Sequence, residues 1–126
     1  MKLKFIDGSI YKKKIKCTIQ QTGKLGFSQD AIAYFKLNEI KYVGFAINEE
    51  DKKDTNLYMS IFNKEEEKAF KVVKAGNYFY INTIKLFDEL GLDYQNKIFI
   101  FDITEMEYEG KKIYKLIRRE SDRKQK

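Results

Sequence analysis

The stretch Cys17-Thr-Ile-Gln-Gln-Thr-Gly23 returns later in the chain as Phe70-Lys-Val-Val-Lys-Ala-Gly76. Each stretch opens one copy of a longer pattern, and the two copies span residues 17–62 and 70–118. The offset between equivalent positions grows from 53 to 56 residues and then stays constant from Lys41 onward. Because internal repetition constrains the architecture more than any single motif does, we predict a fold made of two equivalent units.

Each copy has the pattern strand, turn, strand, helix, strand, strand. In the first copy Gly23 separates two short apolar runs, as expected for a hairpin turn that needs a positive φ. Ser28 is a typical N-cap for the helix that follows, and that helix is predicted to end near Leu37. The second copy repeats these signals in the same order, at Gly76, at Asn82 or Thr83, and at Gly91.

These repeats predict the fold class. A single copy has fewer than 50 residues and is too short to bury a core alone. Two copies related by a pseudo-twofold axis can instead cover each other's sheet edges. We therefore predict a mainly β (α+β) domain over residues 1–118, in which two β-β-α-β-β repeats form one barrel-like sheet with two short helices. Residues 119–126 are highly charged and lack apolar side chains, so we expect a disordered basic tail.

Composition argues against catalysis. The chain of 126 residues is 43% apolar and contains 10 Phe and 9 Tyr, which is sufficient for one core. It has no His and only one Cys, which removes the commonest general base and thiolate zinc sites. The remaining carboxylate, Lys, Tyr and Ser side chains form no known catalytic pattern. We expect that the protein is not an enzyme and uses neither a metal nor a cofactor.

Sequence features also predict where the protein resides. The single Cys17 cannot form a disulfide within the chain, which fits a reducing compartment. No apolar run approaches the roughly 20 residues that span a membrane. The opening residues 1–7, Met-Lys-Leu-Lys-Phe-Ile-Asp, lack the apolar stretch of a signal peptide. We expect a cytoplasmic protein without a membrane partner.

The charge of +6 is distributed unevenly. Residues 1–16 carry six Lys against one Asp, a net charge of +5. Residues 111–126 carry eight Lys or Arg against two acidic residues, a net charge of +6, while residues 17–110 carry a net charge of −5. Basic ends attract phosphate polyanions through counterion release. The alternative is that they only keep the protein soluble.

Residues 23–28 and residues 89–101 carry motifs that resemble those of the AbrB/MazE family of swapped-hairpin DNA-binding domains. Gly23-Lys24-Leu25-Gly26-Phe27-Ser28 resembles the family's Gly-Arg-Val-Val-Ile-Pro-like stretch. Glu89-Leu90-Gly91-Leu92, followed by Lys97-Ile98-Phe99-Ile100-Phe101, resembles its helix end and next strand. The resemblance covers both repeats, about 95 of the 126 residues. It implies that one chain holds the two halves of the family's dimeric barrel, and it implies DNA binding in transcription regulation.

The chain departs from this family at positions that matter for DNA. The proline before the family's helix is Ser28 in one copy and Asn82 in the other. The basic residue after the turn glycine is Lys24 in the first copy but Asn77 in the second. The fold analogy is therefore closer than the DNA-binding analogy.

A second resemblance arises when the repeat unit is started after the first helix. Four strands followed by a helix resemble, in permuted order, the Whirly/PC4-like proteins that bind single-stranded DNA or RNA. Such proteins hold single strands with aromatic and Lys side chains on a sheet face. The resemblance implies that Tyr78-Phe79-Tyr80 and residues 111–115 are candidates for this role, while cross-strand packing of the aromatics is the alternative.

The nucleic-acid hypothesis predicts a set of phosphate contacts. The predicted residues are basic side chains near the two ends and the turns, namely Lys12, Lys14, Lys16, Lys24, Lys74, Lys115, Arg118 and Arg119. The lysines on the first strand have an alternative, structural explanation, since lysines on an exposed sheet edge discourage its pairing with another chain. The alternative function is a structural or protein-interaction scaffold, with a second copy or another protein as its partner.

Overall fold

The computed structural model describes residues 1–8, 14–39 and 41–123. The described strands are β1 (Lys16–Ile19), β2 (Leu25–Phe27), β3 (Tyr42–Ala46), β4 (Leu57–Phe62), β5 (Phe70–Lys71), β6 (Val73–Ala75), β7 (Tyr78–Ile81), β8 (Lys97–Tyr108) and β9 (Lys111–Asp122). The described helices are α1 (Gln29–Phe35) and α2 (Ile84–Glu89).

The described strands form one antiparallel sheet in the order β5-β3-β4-β9-β8-β1-β2-β7-β6. The two ends of this order, β5 and β6, are consecutive in the chain and are separated only by Val72. The Val72 N–H donates to the Lys41 carbonyl at 3.0 Å. Because one segment pairs with both edges, the sheet curls into a nearly closed barrel. The predicted mainly β, barrel-like architecture with two short helices is confirmed at this level.

Alternating side chains of the strands fill the barrel. Cys17 and Ile19 of β1 are fully buried, and Phe99 and Phe101 of β8 are at most 2% exposed. Phe87 of α2 closes the core and is also fully buried. Burying one such Phe contributes about 1.5–3 kcal/mol relative to leaving it exposed. Desolvation in this core, with the nearby Asp102 carboxylate as a lesser cause, raises the pKa of the Cys17 thiol.

The helix boundaries follow from local chemistry. As predicted, Ser28 caps α1, and its Oγ accepts from the Ala31 N–H at 3.2 Å. At the start of α2 the N-cap is Thr83 rather than Asn82, and the Thr83 side chain makes no capping bond. Its Oγ1 instead donates to the Gly23 carbonyl at 3.0 Å. Gly91 follows the end of α2 with φ +71°, the left-handed conformation expected of a residue after a helix.

Several elements differ from the predictions. The first strand of the second copy is divided at Val72, because the chain changes its pairing partner from β3 to β7 there. Residues 63–68, which link the two copies, form bends and turns. Residues 119–122, predicted to begin a disordered tail, pair with residues 97–100 of β8. A long antiparallel partner satisfies their backbone groups whatever their charge.

The β8–β9 hairpin is longer than predicted and projects beyond the barrel. In the described part of the chain, β1 pairs with β8 only over 99–102, and β4 pairs with β9 only over 114–116. Residues 106–113 therefore pair only with each other across the hairpin. We call this segment the hairpin arm.

Candidate nucleic-acid interface

The outer surface of β1, β2, β7 and β6 is an open sheet face. Thr18, Gly26, Tyr80 and Val73 lie directly opposite one another in these four consecutive strands. Each has a buried neighbour in sequence, namely Cys17, Leu25, Phe79 and Val72, so these residues point outward. We call this surface the tyrosine face, and we define it by Lys16, Thr18, Lys24, Gly26, Val73, Tyr78 and Tyr80.

The tyrosine face carries a contact between a cation and an aromatic ring. The Lys24 ammonium lies 4.8 Å from the centroid of the Tyr80 ring, which is within the distance for a cation–π interaction. Tyr78 lies two residues earlier on the same side of the strand and is 66% exposed. The missing side chain of Gly26 leaves room for the Gln20 amide, whose Nε2 lies 2.9 Å from where a Cβ would stand. One ring is thus held by a lysine and a second is open to solvent.

The electrostatic character of this face is positive. The sequences of its strands, Lys-Cys-Thr-Ile, Leu-Gly-Phe, Val-Lys-Ala and Tyr-Phe-Tyr-Ile, contain no Asp or Glu. Lys16 and Lys24 point outward, because their strand neighbours Cys17 and Leu25 are buried. Lys71 is also exposed, on β5 and two residues before Val73. The nearest carboxylate in the pairing pattern belongs to Asp102, opposite Lys16 in β8.

The structure brings only some of the predicted residues together. Lys16 and Lys24 belong to the tyrosine face, and Lys14 precedes it, exposed, with its backbone N–H donating to Asp30 at 2.8 Å. Lys74 lies opposite Phe79 in the hairpin, so it points to the other side of the sheet from Tyr78 and Tyr80. Lys12 lies outside the described residues.

The two predicted arginines are already paired with carboxylates. Arg119 forms a two-pronged ion pair with Asp102, at 2.5 Å from Nε and 3.0 Å from the terminal nitrogen. This hydrogen-bonded pair raises the pKa of Arg119. Arg118 lies over the Phe99 ring at 4.8 Å and pairs with Glu120 at 2.9 Å. Much of the positive charge that the sequence places near this end is therefore balanced locally.

Lys115 has a different setting from the arginines. It lies opposite Thr104 in β8 and opposite Tyr58 in β4, on the outer surface of the barrel. No ion pair involves its ammonium within the described residues. On the sheet, β8 separates it from the tyrosine face.

A second polar cluster lies in the loop between β3 and β4. The Asp54 carboxylate accepts from the Tyr58 hydroxyl at 2.5 Å, from Asn48 at 3.2 Å and from the Asn56 backbone at 3.0 Å. These bonds, led by that of Tyr58, lower the pKa of Asp54 to about 2. A carboxylate held ionised in this way is a weak base and a poor general-base catalyst. The cluster instead orders the loop. This loop and Arg118 line a groove of about 440 Å³.

Sequence reasoning missed the contact between Lys24 and Tyr80. It depends on the pairing of β2 with β7, which joins one copy of the repeat to the other. Period-two alternation indicated that one side of Tyr78-Phe79-Tyr80 faces outward, but no local pattern indicated which lysine would lie there.

No protein-family model, curated protein or solved structure matches this chain. Among the residues that the structure describes, neither helix has the length or the apolar character needed to cross a membrane. Within the same residues, no three Cys, Asp or Glu side chains are arranged to hold a metal ion.

Proposed function

We propose that this protein binds single-stranded nucleic acid on the tyrosine face. Tyr78 and Tyr80 stack against bases, while Lys16 and Lys24 contact the adjacent phosphates. The observation that carries the proposal is the Lys24 ammonium over the Tyr80 ring beside the exposed Tyr78 ring. An aromatic side chain that stacks on a base contributes about 1–3 kcal/mol to binding.

Two features favour a single strand over a duplex. Aromatic side chains on a sheet face need bases that are unstacked and splayed out, which a duplex does not offer. Arginine is the side chain best suited to read bases in the major groove, but Arg118 and Arg119 are engaged with Glu120 and Asp102. The basic N-terminal segment thus contributes more to the proposed site than the basic C-terminal segment does. In the C-terminal segment, Lys115 is a secondary phosphate contact.

We also infer that the two repeats are related by a pseudo-twofold axis, as in the AbrB/MazE-like barrel. Exchanging β1 with the β5–β6 segment, β2 with β7, β3 with β8 and β4 with β9 returns the same cyclic strand order. Where the copies meet, Tyr58 pairs with Lys115 and Met59 pairs with Tyr114. The offset of 56 residues relates Tyr58 to Tyr114 and Met59 to Lys115, so the exchange of copies converts each pair into the other. Superposition of the copies in an experimental structure tests this inference, which fails if equivalent strands do not overlay.

The nucleic-acid proposal is tested by fluorescence anisotropy with labelled single-stranded and duplex oligonucleotides. Phosphate contacts from Lys16 and Lys24 give a salt slope of about −0.7 per phosphate, so affinity is expected to fall about 7-fold between roughly 50 and 200 mM salt. A protein that binds neither form at the lower salt refutes the proposal. Preference for the duplex refutes the single-strand assignment and favours the duplex recognition that the AbrB/MazE resemblance implies.

Substitutions locate the site. Tyr78→Ala and Tyr80→Ala are each expected to weaken single-strand binding by about 5- to 150-fold, the loss of one stacked base. Tyr108→Ala is the matched control, because this tyrosine is 58% exposed but lies on the hairpin arm. Lys24→Gln should weaken binding and flatten the salt dependence, whereas Lys64→Gln, in the exposed linker between the repeats, should not. Equal effects at Tyr78 and Tyr108 would place the binding site elsewhere.

A further inference from the structure

Residues 1–7 form an exposed amphipathic run. Leu3, Phe5 and Ile6 are 68%, 89% and 76% exposed, and lysines alternate with the first two. In an extended conformation Leu3 and Phe5 share one face, while Lys2 and Lys4 share the other. Scattered exposed apolar residues are ordinary, but a contiguous cluster of this kind is typical of an interaction segment.

A groove lies across the barrel from the tyrosine face, where β4 and β9 diverge. Within the described residues, these strands pair only where Leu57–Met59 of β4 lie opposite Tyr114–Leu116 of β9. Farther along, residues 60–62 pair only with β3, and residues 111–113 pair only with β8. The space between them is a groove of about 490 Å³, which we call the wedge groove.

The wedge groove has an apolar lining and an acidic rim. Its apolar side chains come from both diverging strands, from β3 and from the hairpin arm, and include Phe45, Met59, Phe62, Tyr108 and Ile113. Glu66 and Glu67 of the linker between the repeats border it, together with Lys68. Along one wall, the outward backbone groups of residues 60–62 have no strand partner among the described residues. Such an edge is a template for an added strand.

We propose that residues 1–7 of a second copy of this chain insert into the wedge groove as an added β-strand. The segment presents Leu3 and Phe5 to the lining and pairs its backbone with residues 60–62, which is the usual mode of strand addition. At about 3.3 Å per residue, five residues from Lys2 to Ile6 span about 16 Å, enough to cover the edge of residues 60–62, which is about 10 Å long.

Charge complementarity selects this occupant. When Leu3 and Phe5 face the lining, Lys2 and Lys4 face away from it, toward the rim that bears Glu66 and Glu67. In a single chain Leu3 and Phe5 face solvent, so the contact forms between chains. A reciprocal exchange of the segments closes a dimer.

Light scattering after size exclusion tests the proposal on the full chain. The wild-type protein at tens of micromolar is expected to have twice the 15.0 kDa mass of one chain. Leu3→Glu combined with Phe5→Glu should return it to a single chain, with at least a tenfold rise in the dimer dissociation constant. Ile47→Glu is the matched control, since this side chain is 54% exposed and lies outside the wedge groove. A monomeric wild type, or a dimer unaffected by the double substitution, overturns the proposal.

Engineered cysteines identify the occupant directly, because the native Cys17 is buried. Phe5→Cys and Ile113→Cys are made on separate chains, mixed and oxidised without nucleic acid. A disulfide-linked band of two chains supports insertion in trans. In a chain carrying both substitutions, a disulfide that forms only within the chain overturns the second-copy assignment, and the absence of any disulfide overturns the docking site. Neither outcome depends on nucleic-acid binding by the tyrosine face.

Discussion

Replacing Ser28 with Ala is expected to destabilise the protein by about 2 kcal/mol, while replacing Asn82, its counterpart in the second copy, is expected to change stability little. The Ser28 hydroxyl connects α1 to the start of β1. It accepts from the Ala31 N–H at 3.2 Å and from the Lys16 N–H at 3.2 Å, and it donates to the Lys14 carbonyl at 2.6 Å. Asn82 is exposed and makes no side-chain hydrogen bond within the described residues.

The magnitude follows from these bonds. Loss of an N-cap hydroxyl costs about 1 kcal/mol. The two bonds toward β1 together add about 1 kcal/mol, because water replaces part of each interaction. With an unfolding entropy of about 2.1 cal/mol/K per residue, the 126 residues give about 0.26 kcal/mol/K. A loss of about 2 kcal/mol therefore lowers Tm by about 8 °C.

Urea and thermal unfolding followed by far-UV circular dichroism measure this difference. Ser28→Thr keeps the hydroxyl and is expected to retain most of the stability. If Ser28→Ala and Asn82→Ala lose equal stability, the two copies use equivalent caps and the asymmetry described above is wrong. If Ser28→Ala stays within about 0.5 kcal/mol of wild type, the connection to β1 is not important for stability.

Three further predictions concern buried or hydrogen-bonded groups. Thr83→Val leaves the Gly23 carbonyl without its buried hydroxyl donor and should cost about 1–3 kcal/mol in urea unfolding, so a loss below about 0.5 kcal/mol would contradict that bond. The pKa of Asp54 is lowered from 3.8 to about 2, so its stabilising effect is complete above the unfolded value and is lost as the pH falls toward about 2. Asp54→Asn should flatten this part of the pH profile of unfolding, and an unchanged profile would argue against the bond from Tyr58. Cys17 is fully buried and should react with a thiol reagent at about pH 8 only after unfolding in urea, whereas rapid reaction of the native protein would contradict its burial.

Much of the secondary structure could be predicted because its signals are local. The turn before β2 and the end of α2 require positive φ, and Gly23 and Gly91 adopt φ +92° and +71°. Strands such as β4 and β7 were expected in the order strand, turn, strand, helix, strand, strand, since the alternation that marks a strand depends on near neighbours. The length of β9 was not predicted, because Arg119 and the residues after it resemble a solvated tail when their partner strand is unknown.

The candidate site was only partly predictable for the same reason. Lys16 and Lys24 were identified from the sequence, and both lie on the tyrosine face. Lys74 was grouped with them by its position near a turn, but the pairing of β6 with β7 directs it to the other side of the sheet. Successive side chains of a strand point to opposite faces of the sheet. An error of one residue in the predicted register therefore places a side chain on the wrong face.

Composition, apolar alternation and turn glycines were sufficient to predict a mainly β, barrel-like chain with two short helices, because these features reflect interactions within a few residues. Which positive charges stay available was decided by pairing between distant strands. Arg119 meets Asp102 across the β8–β9 ladder, and Lys24 meets Tyr80 because β2 pairs with β7. Such contacts depend on the combined pairing and packing of whole strands, and no short window of sequence contains that information.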